Sequence, residues 1–146
     1  MLRTLYLAAA IVAAATTASA QTRPELADLK IVVDNLKPAQ GYLMIGVYAG
    51  KAAYDTEARV RSERVAVTAG QMDVVVAGLP AGDYGLKLFH DVNGNTRLDS
   101  NLLGIPTEPV AFSNNARGAF SPASWTDAHF TVSAPVTVQT IHFQPR

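Results

Sequence analysis

Leu29, Ile31 and Val33 alternate with Lys30, Val32 and Asp34, the period-two pattern of a strand that buries one face. From Gly41 to Tyr48 the chain sets Leu43, Ile45 and Val47 on one side and Tyr42, Met44 and Tyr48 on the other. Both faces of that strand are therefore expected to be partly covered, as in the middle of a sheet. Val65 and Val67 restart the pattern, and Met72 to Leu79 carries it on in a Val-rich run. Tyr84, Leu86 and Leu88 then oppose Gly85, Lys87 and Phe89 in a strand that ends at His90. The turn before it, Leu79-Pro80-Ala81-Gly82-Asp83-Tyr84, uses Pro to fix φ on entry and Gly to relax the backbone. Lys51 to Glu57 is the one segment expected to form a short helical turn.

Nearer the C-terminus, Ala128, Phe130 and Val132 alternate again, and Val136 to Phe143 forms a last strand. Its apolar phase switches between Val136 and Val138 on one hand and Ile141 and Phe143 on the other, which predicts a bulge near Gln139 and Thr140. About seven short strands at this spacing predict an all-β fold, an immunoglobulin-like or transthyretin-like antiparallel β-sandwich. The stretch from Leu102 to Thr126 holds Gly104, Pro106, Pro109, Gly118 and Pro122. It is too long for an idle connection in a compact domain, and an ordered lid or binding loop is expected there.

The N-terminus carries Arg3, an apolar run from Leu5 to Ala15 and the small-residue ending Ala18-Ser19-Ala20, the pattern of a secretory signal cleaved after Ala20. Residues 1–20 are thus read as a signal peptide, 21–28 as a flexible leader and 29–146 as a single domain, periplasmic or secreted. The run falls short of the roughly 20 apolar residues a spanning helix needs, and no second one follows, so no transmembrane segment is expected in the mature chain. Without cysteine, the domain has no disulfide and no lipid-anchor thiol, leaving a packed core or a bound ion to stabilise it. Twelve basic and twelve acidic residues balance, which argues against a nucleic-acid partner, since phosphate binding needs clustered Lys and Arg. The nearest approach to a charge run, Arg59, Arg61, Glu63 and Arg64, mixes signs and reads as a solvated strand face or loop.

Candidate chemistry concentrates in His90-Asp91-Val92-Asn93-Gly94-Asn95-Thr96-Arg97-Leu98-Asp99-Ser100-Asn101. Asp91, Asn93, Asn95 and Asp99 stand at positions one, three, five and nine of a calcium loop, and the Arg97 backbone carbonyl stands at position seven. Thr96 replaces the usual glycine at position six and Leu102 the usual glutamate at position twelve; Asn101 and Glu108 are further candidate ligands. A Ca2+ site of this kind would be weak, about 10⁻⁴ to 10⁻³ M. The same residues also suit a tight Asn93-Gly94 turn whose side chains cap backbone amides. In the long loop, Phe112, Ser113, Asn114, Asn115 and Trp125 are candidate contacts for a ligand, a glycan or an envelope protein. They also suit a role in pinning the loop and closing its turns. His90, His129 and His142 lack metal-ligand spacing and are expected at strand ends or on the surface. No nucleophile elbow occurs, and the spacing of Asp91, Asp99, Glu108 and Asp127 favours no glycosidase pair.

The Leu79–Tyr84 turn, His90-Asp91, Asn93 to Asn95, Asp99 to Asn101, Gly104-Ile105-Pro106, Glu108 and Phe112-Ser113-Asn114-Asn115-Ala116 together carry a resemblance. Over essentially the whole mature chain, the sequence resembles a family of exported bacterial proteins known only as a domain of unknown function. The pattern of that family has glycine where this chain has Thr96. The Pro-Ala-Gly-Asp-Tyr turn is more loosely similar to carboxypeptidase-regulatory and transthyretin-like sandwiches, and likeness of fold does not transfer function. Three functions follow as expectations: an exported, non-enzymatic binding or envelope-associated module stabilised by calcium; a periplasmic hydrolase using carboxylates or His90 near the 90–127 loop; and a structural envelope protein pairing through its sheet edges.

Overall fold

Alternation along the strands becomes two packed layers in the computed structural model, which describes residues 25–118 and 121–144. Among these residues lie eight strands: β1 (Leu26–Asp34), β2 (Tyr42–Ala49), β3 (Arg61–Ala66), β4 (Met72–Pro80), β5 (Gly82–Asp91), β6 (Val110–Phe112), β7 (Phe130–Val132) and β8 (Val136–His142). Helix α1 (Gly50–Asp55) follows β2, a 3-10 turn (Ser113–Asn115) follows β6, and α2 (Trp125–Ala128) precedes β7. One sheet has the order β4-β1-β8 and the other β3-β2-β5-β6. The second half of β5 pairs with β6 and its first half with β7.

The core sits between the sheets. Leu29, Ile31 and Val33 of β1 face Leu43, Ile45 and Val47 of β2 and Leu86 and Leu88 of β5, and Ile141 and Phe143 join them from the C-terminal segment. Each such side chain contributes roughly 1.5–3 kcal/mol on burial. A second cluster forms where α1 and α2 meet the five-stranded sheet, with Tyr48, Tyr54, Ala123 and Ala128 buried and Trp125 packed against them. The Tyr54 ring packs against Gly85, where an added Cβ would come within 2.6 Å of it.

An all-β sandwich is thus the architecture, with three corrections to the expected details. The expected all-antiparallel pairing fails at one place, because β1 and β8 run parallel. The bulge expected near Gln139 and Thr140 does not occur, and the β1–β8 register is unbroken from Val136 to His142. Val136 and Val138 simply point outward, 51% and 54% exposed, so apolar residues lie on both faces of β8. The break in register lies instead in β1, between Ala27 and Leu29, opposite β4. Third, β1 begins at Leu26 with Ala27 buried, inside the segment expected to be leader. The expected signal, residues 1–20, falls outside the described residues; among those described, no helix is long and apolar enough to cross a membrane. The long stretch after Leu102 is ordered by β6, the 3-10 turn and α2.

Candidate functional site

The outer face of the five-stranded sheet carries a groove. Register sets Ser62, Gly46, Lys87 and Phe112 in one row across β3, β2, β5 and β6, with Arg64, Met44, Phe89 and Val110 in the next. Alternation turns these rows away from the core. Thr96 to Leu98 and Gly104 to Pro106 wall one side of the resulting groove, and Gly118, Ser121 and Pro122 wall the other. The groove has a volume of about 680 Å³.

One end of the groove is polar. Lys87 Nζ donates to the Tyr54 carbonyl at 2.9 Å and to Glu57, while Tyr48 Oη donates to the other Glu57 oxygen at 2.8 Å. The ammonium lies 4.2 Å from the Tyr54 ring centre and 5.1 Å from that of Tyr48, so both faces add cation–π attraction. Burial pushes against ionisation of Glu57, but the bonds from Lys87 and Tyr48 outweigh it and hold its pKa below the ordinary carboxylate value. Burial raises both phenols, followed by the Glu57 charge at Tyr54, which goes to about 12, and by the hydrogen bond to Glu57 at Tyr48, which goes further still. Arg59 crosses the floor at Gly46, where a Cβ would sit 2.9 Å from Tyr48 Oη and 3.2 Å from Arg59 Cδ. Only glycine leaves room there.

The polar loop hangs beside this groove and supplies its first wall. Asp91 is fully buried, its Oδ1 accepting from the Asn95 amide at 3.0 Å and its Oδ2 from the Thr96 amide at 2.9 Å. Asn93 and Asn95 both donate side-chain amides to the Asp99 carboxylate, at 2.6 and 3.0 Å, so the three side-chain ends converge. Thr96 has φ +69, a left-handed conformation uncommon for a β-branched residue. Glu108 is 6% exposed, and its two oxygens accept the amides of Val92 and Asp99, tying the ends of the loop together. Asn101 Oδ1 accepts from the amides of Leu103 and Ile105 and shapes the loop tip. Among the described residues, no three His, Cys, Asp or Glu side chains gather into a metal-binding group. The convergent side chains are one aspartate and two asparagines, Asp91 serving the backbone amides instead, and Arg97 contributes its amide to Asn95 Oδ1.

Of the residues expected to touch a ligand, only Phe112 lines the groove. Ser113 is buried, accepting from the Leu86 amide and donating to the Ala128 carbonyl. Asn114 and Asn115 bind Gln139, His129, Thr140 and His142, fastening the turn to β8. Trp125 packs edge-on to Tyr54 and stacks on His129. His90 is fully buried rather than superficial, because the phase of β5 sets it with Leu86 and Leu88. Its Nε2 contacts the Gln40 carbonyl at 2.7 Å, and its Nδ1 has no partner among the described residues. His129 caps α2 and His142 bonds Asp34, both exposed as expected. Asp127 accepts from Ser124 at the start of α2, far in role from the other carboxylates. Met44, Tyr48, Glu57, Lys87 and Phe89 are the site residues that sequence reasoning missed. The apolar outer phase of β2 was the available signal.

A family model described as an uncharacterized protein conserved in bacteria (DUF2141) matches residues 31–140. The chain belongs to that family. No curated protein matches it, and no solved structure does.

Proposed function

Starting from membership in a family of unknown activity, we propose that this protein is an exported, non-enzymatic binding module whose ligand site is the groove over β2, β5 and β6. The observation that carries this reading is the cavity itself: about 680 Å³, within the roughly 300–1,000 Å³ of small-molecule sites, with an apolar floor and a few polar groups at one end. Export rests on the Arg3, apolar-run and Ala18-Ser19-Ala20 pattern. The hydrolase alternative has little to work with, since Asp91 and Glu108 already hold backbone amides and His90 is shut in the core. Binding of N-phenyl-1-naphthylamine, a neutral fluorescent probe, tests the site. The wild-type protein should enhance its emission with micromolar affinity, and Met44→Trp, which fills the floor, should abolish the enhancement. Undiminished binding by that variant would place the probe elsewhere and defeat the reading.

Calcium is a second element of the proposal, favoured by the loop conformation. Asp91 at position one accepts the amides of positions five and six, and position six is left-handed, as a glycine there would be. Asp91, Asn93, Asn95, Asp99 and the Arg97 carbonyl would hold the ion, with Glu108 as the strut behind them. Millimolar Ca2+ should raise the melting temperature of chelator-treated protein where Mg2+ does not, through mass action on the native state. Equal melts in both ions would remove calcium from the account and leave the groove reading intact.

A further inference from the structure

Resting on the groove as the ligand site, we propose that its ligand is an amphipathic anion, with an acidic head at the Arg59 end and an aliphatic chain along the floor. The charge argument comes first. Glu57 already neutralises Lys87. Arg59, laid across Gly46 beside the Tyr48 hydroxyl, helps to keep Glu57 ionised, and Arg97 stands on the loop wall; both line the cavity, and neither belongs to any of the four ion pairs among the described residues. Glu63 also borders the groove, yet it pairs with Ile45 in register and so takes the phase that faces away from the rows of Met44 and Gly46. With Glu63 turned away, the lining sets three cations, Arg59, Lys87 and Arg97, against the one carboxylate of Glu57, and two of the three are arginine, the side chain best suited to planar oxyanions.

The apolar argument concerns the other end. Met44, Phe89 and Val110 form one continuous row, and the wall beside them continues into a loop tip of exposed aliphatic residues. Leu98 is 39% exposed and Ile105 45%, and beyond them Leu103 is 83% and Leu102 fully exposed. The tip is fixed by the Asn101 side chain and by a bridge between Ser100 and Pro106. Adjacent leucines held out by an ordered turn extend the apolar floor past the mouth, and a flexible chain can use such an extension where a compact ring cannot.

Displacement of N-phenyl-1-naphthylamine from the purified protein by sodium dodecanoate or by dodecan-1-ol, both below their aggregation limits at neutral pH, separates head from chain. Dodecanoate should displace the probe at about one tenth of the alcohol concentration, as a charge-assisted contact implies. In Arg59→Gln with Arg97→Gln the ratio should approach one, while Arg59→Lys should keep most of it, and added salt should reduce it. Equal potency of acid and alcohol on the wild-type protein overturns the anionic head while leaving the groove reading standing. Full preference retained by the double Gln variant overturns the assignment to these arginines. Failure of the neutral probe to bind at all defeats the groove and this inference together.

Discussion

Glu108→Gln removes one charge and changes almost nothing in shape, which makes it the sharpest probe of how the polar loop is held. In the native structure the carboxylate is 6% exposed and accepts the Val92 amide at 3.0 Å and the Asp99 amide at 3.2 Å. Hydrogen bonds to a charged acceptor contribute about 1.5–3 kcal/mol each. Gln keeps one carbonyl acceptor for one amide but turns an NH2 group onto the other, leaving a donor against a donor. Because the site is nearly dry, solvent cannot repair that mismatch. A loss of about 2 kcal/mol follows, which for a domain of this size lowers Tm by about 8 °C. The assay is thermal and urea unfolding alongside hydrogen exchange at the Val92 and Asp99 amides, one of which should lose protection. A Tm within about 2 °C of wild type, with both amides still protected, would refute the view that Glu108 is the strut of the loop.

Gly85→Ala drives a Cβ to 2.6 Å from the Tyr54 ring and 3.3 Å from Trp125, so it should cost about 1–3 kcal/mol, read as a lower urea midpoint with altered emission of Trp125, the sole tryptophan. Thr96→Gly relieves a left-handed β-branched residue and should gain about 1 kcal/mol; a lower midpoint would contradict the assigned conformation. Glu57 titrates below its ordinary 4.5 in the folded state, so its contribution is complete above that pH and is lost as acid carries the protein through the folded value; Glu57→Gln should flatten this acid limb of the urea midpoint. Tyr54, raised from 10.0 to about 12, contributes stability that is full below pH 10 and lost between there and about pH 12, so part of the phenolate absorbance at 295 nm should appear only with unfolding.

Much of the fold was legible because a half-buried strand must alternate. Leu29 to Val33, Leu43 to Val47 and Tyr84 to Leu88 each announce one buried face, and the short helix before Glu57 fell where alternation lapsed. Position β8 was misread because its outward face carries Val136 and Val138, and a phase switch in composition looks identical to a bulge when exposure is unknown. The parallel pairing of β1 with β8 was illegible, since nothing local encodes a partner so distant in sequence. The polar loop was legible as a cluster, though the spacing alone did not show that Glu108 serves Val92 and Asp99. The groove was harder. Its residues come from the outer phase of four strands and from the loops around them, so no window of sequence contains it, and only the apolar Met44 and Tyr48 hinted that this face is covered. Asn114, Asn115 and Trp125 drew notice as polar and aromatic loop residues, yet their bonds go to β8 and to α1.

The central strand of the smaller sheet takes its second neighbour from far along the chain: Asp34 stands beside His142, 108 residues later. Closing so large a loop is an entropic barrier that no short-range contact offsets in advance. Until Val136 to His142 has been synthesised and is free to dock, β1 has one bare edge and the apolar face of Leu29, Ile31 and Val33 lacks the cover of Ile141 and Phe143. Emergence of β8 is therefore the event that licenses the native state, and products shortened before it should be the species that proteases and chaperones meet.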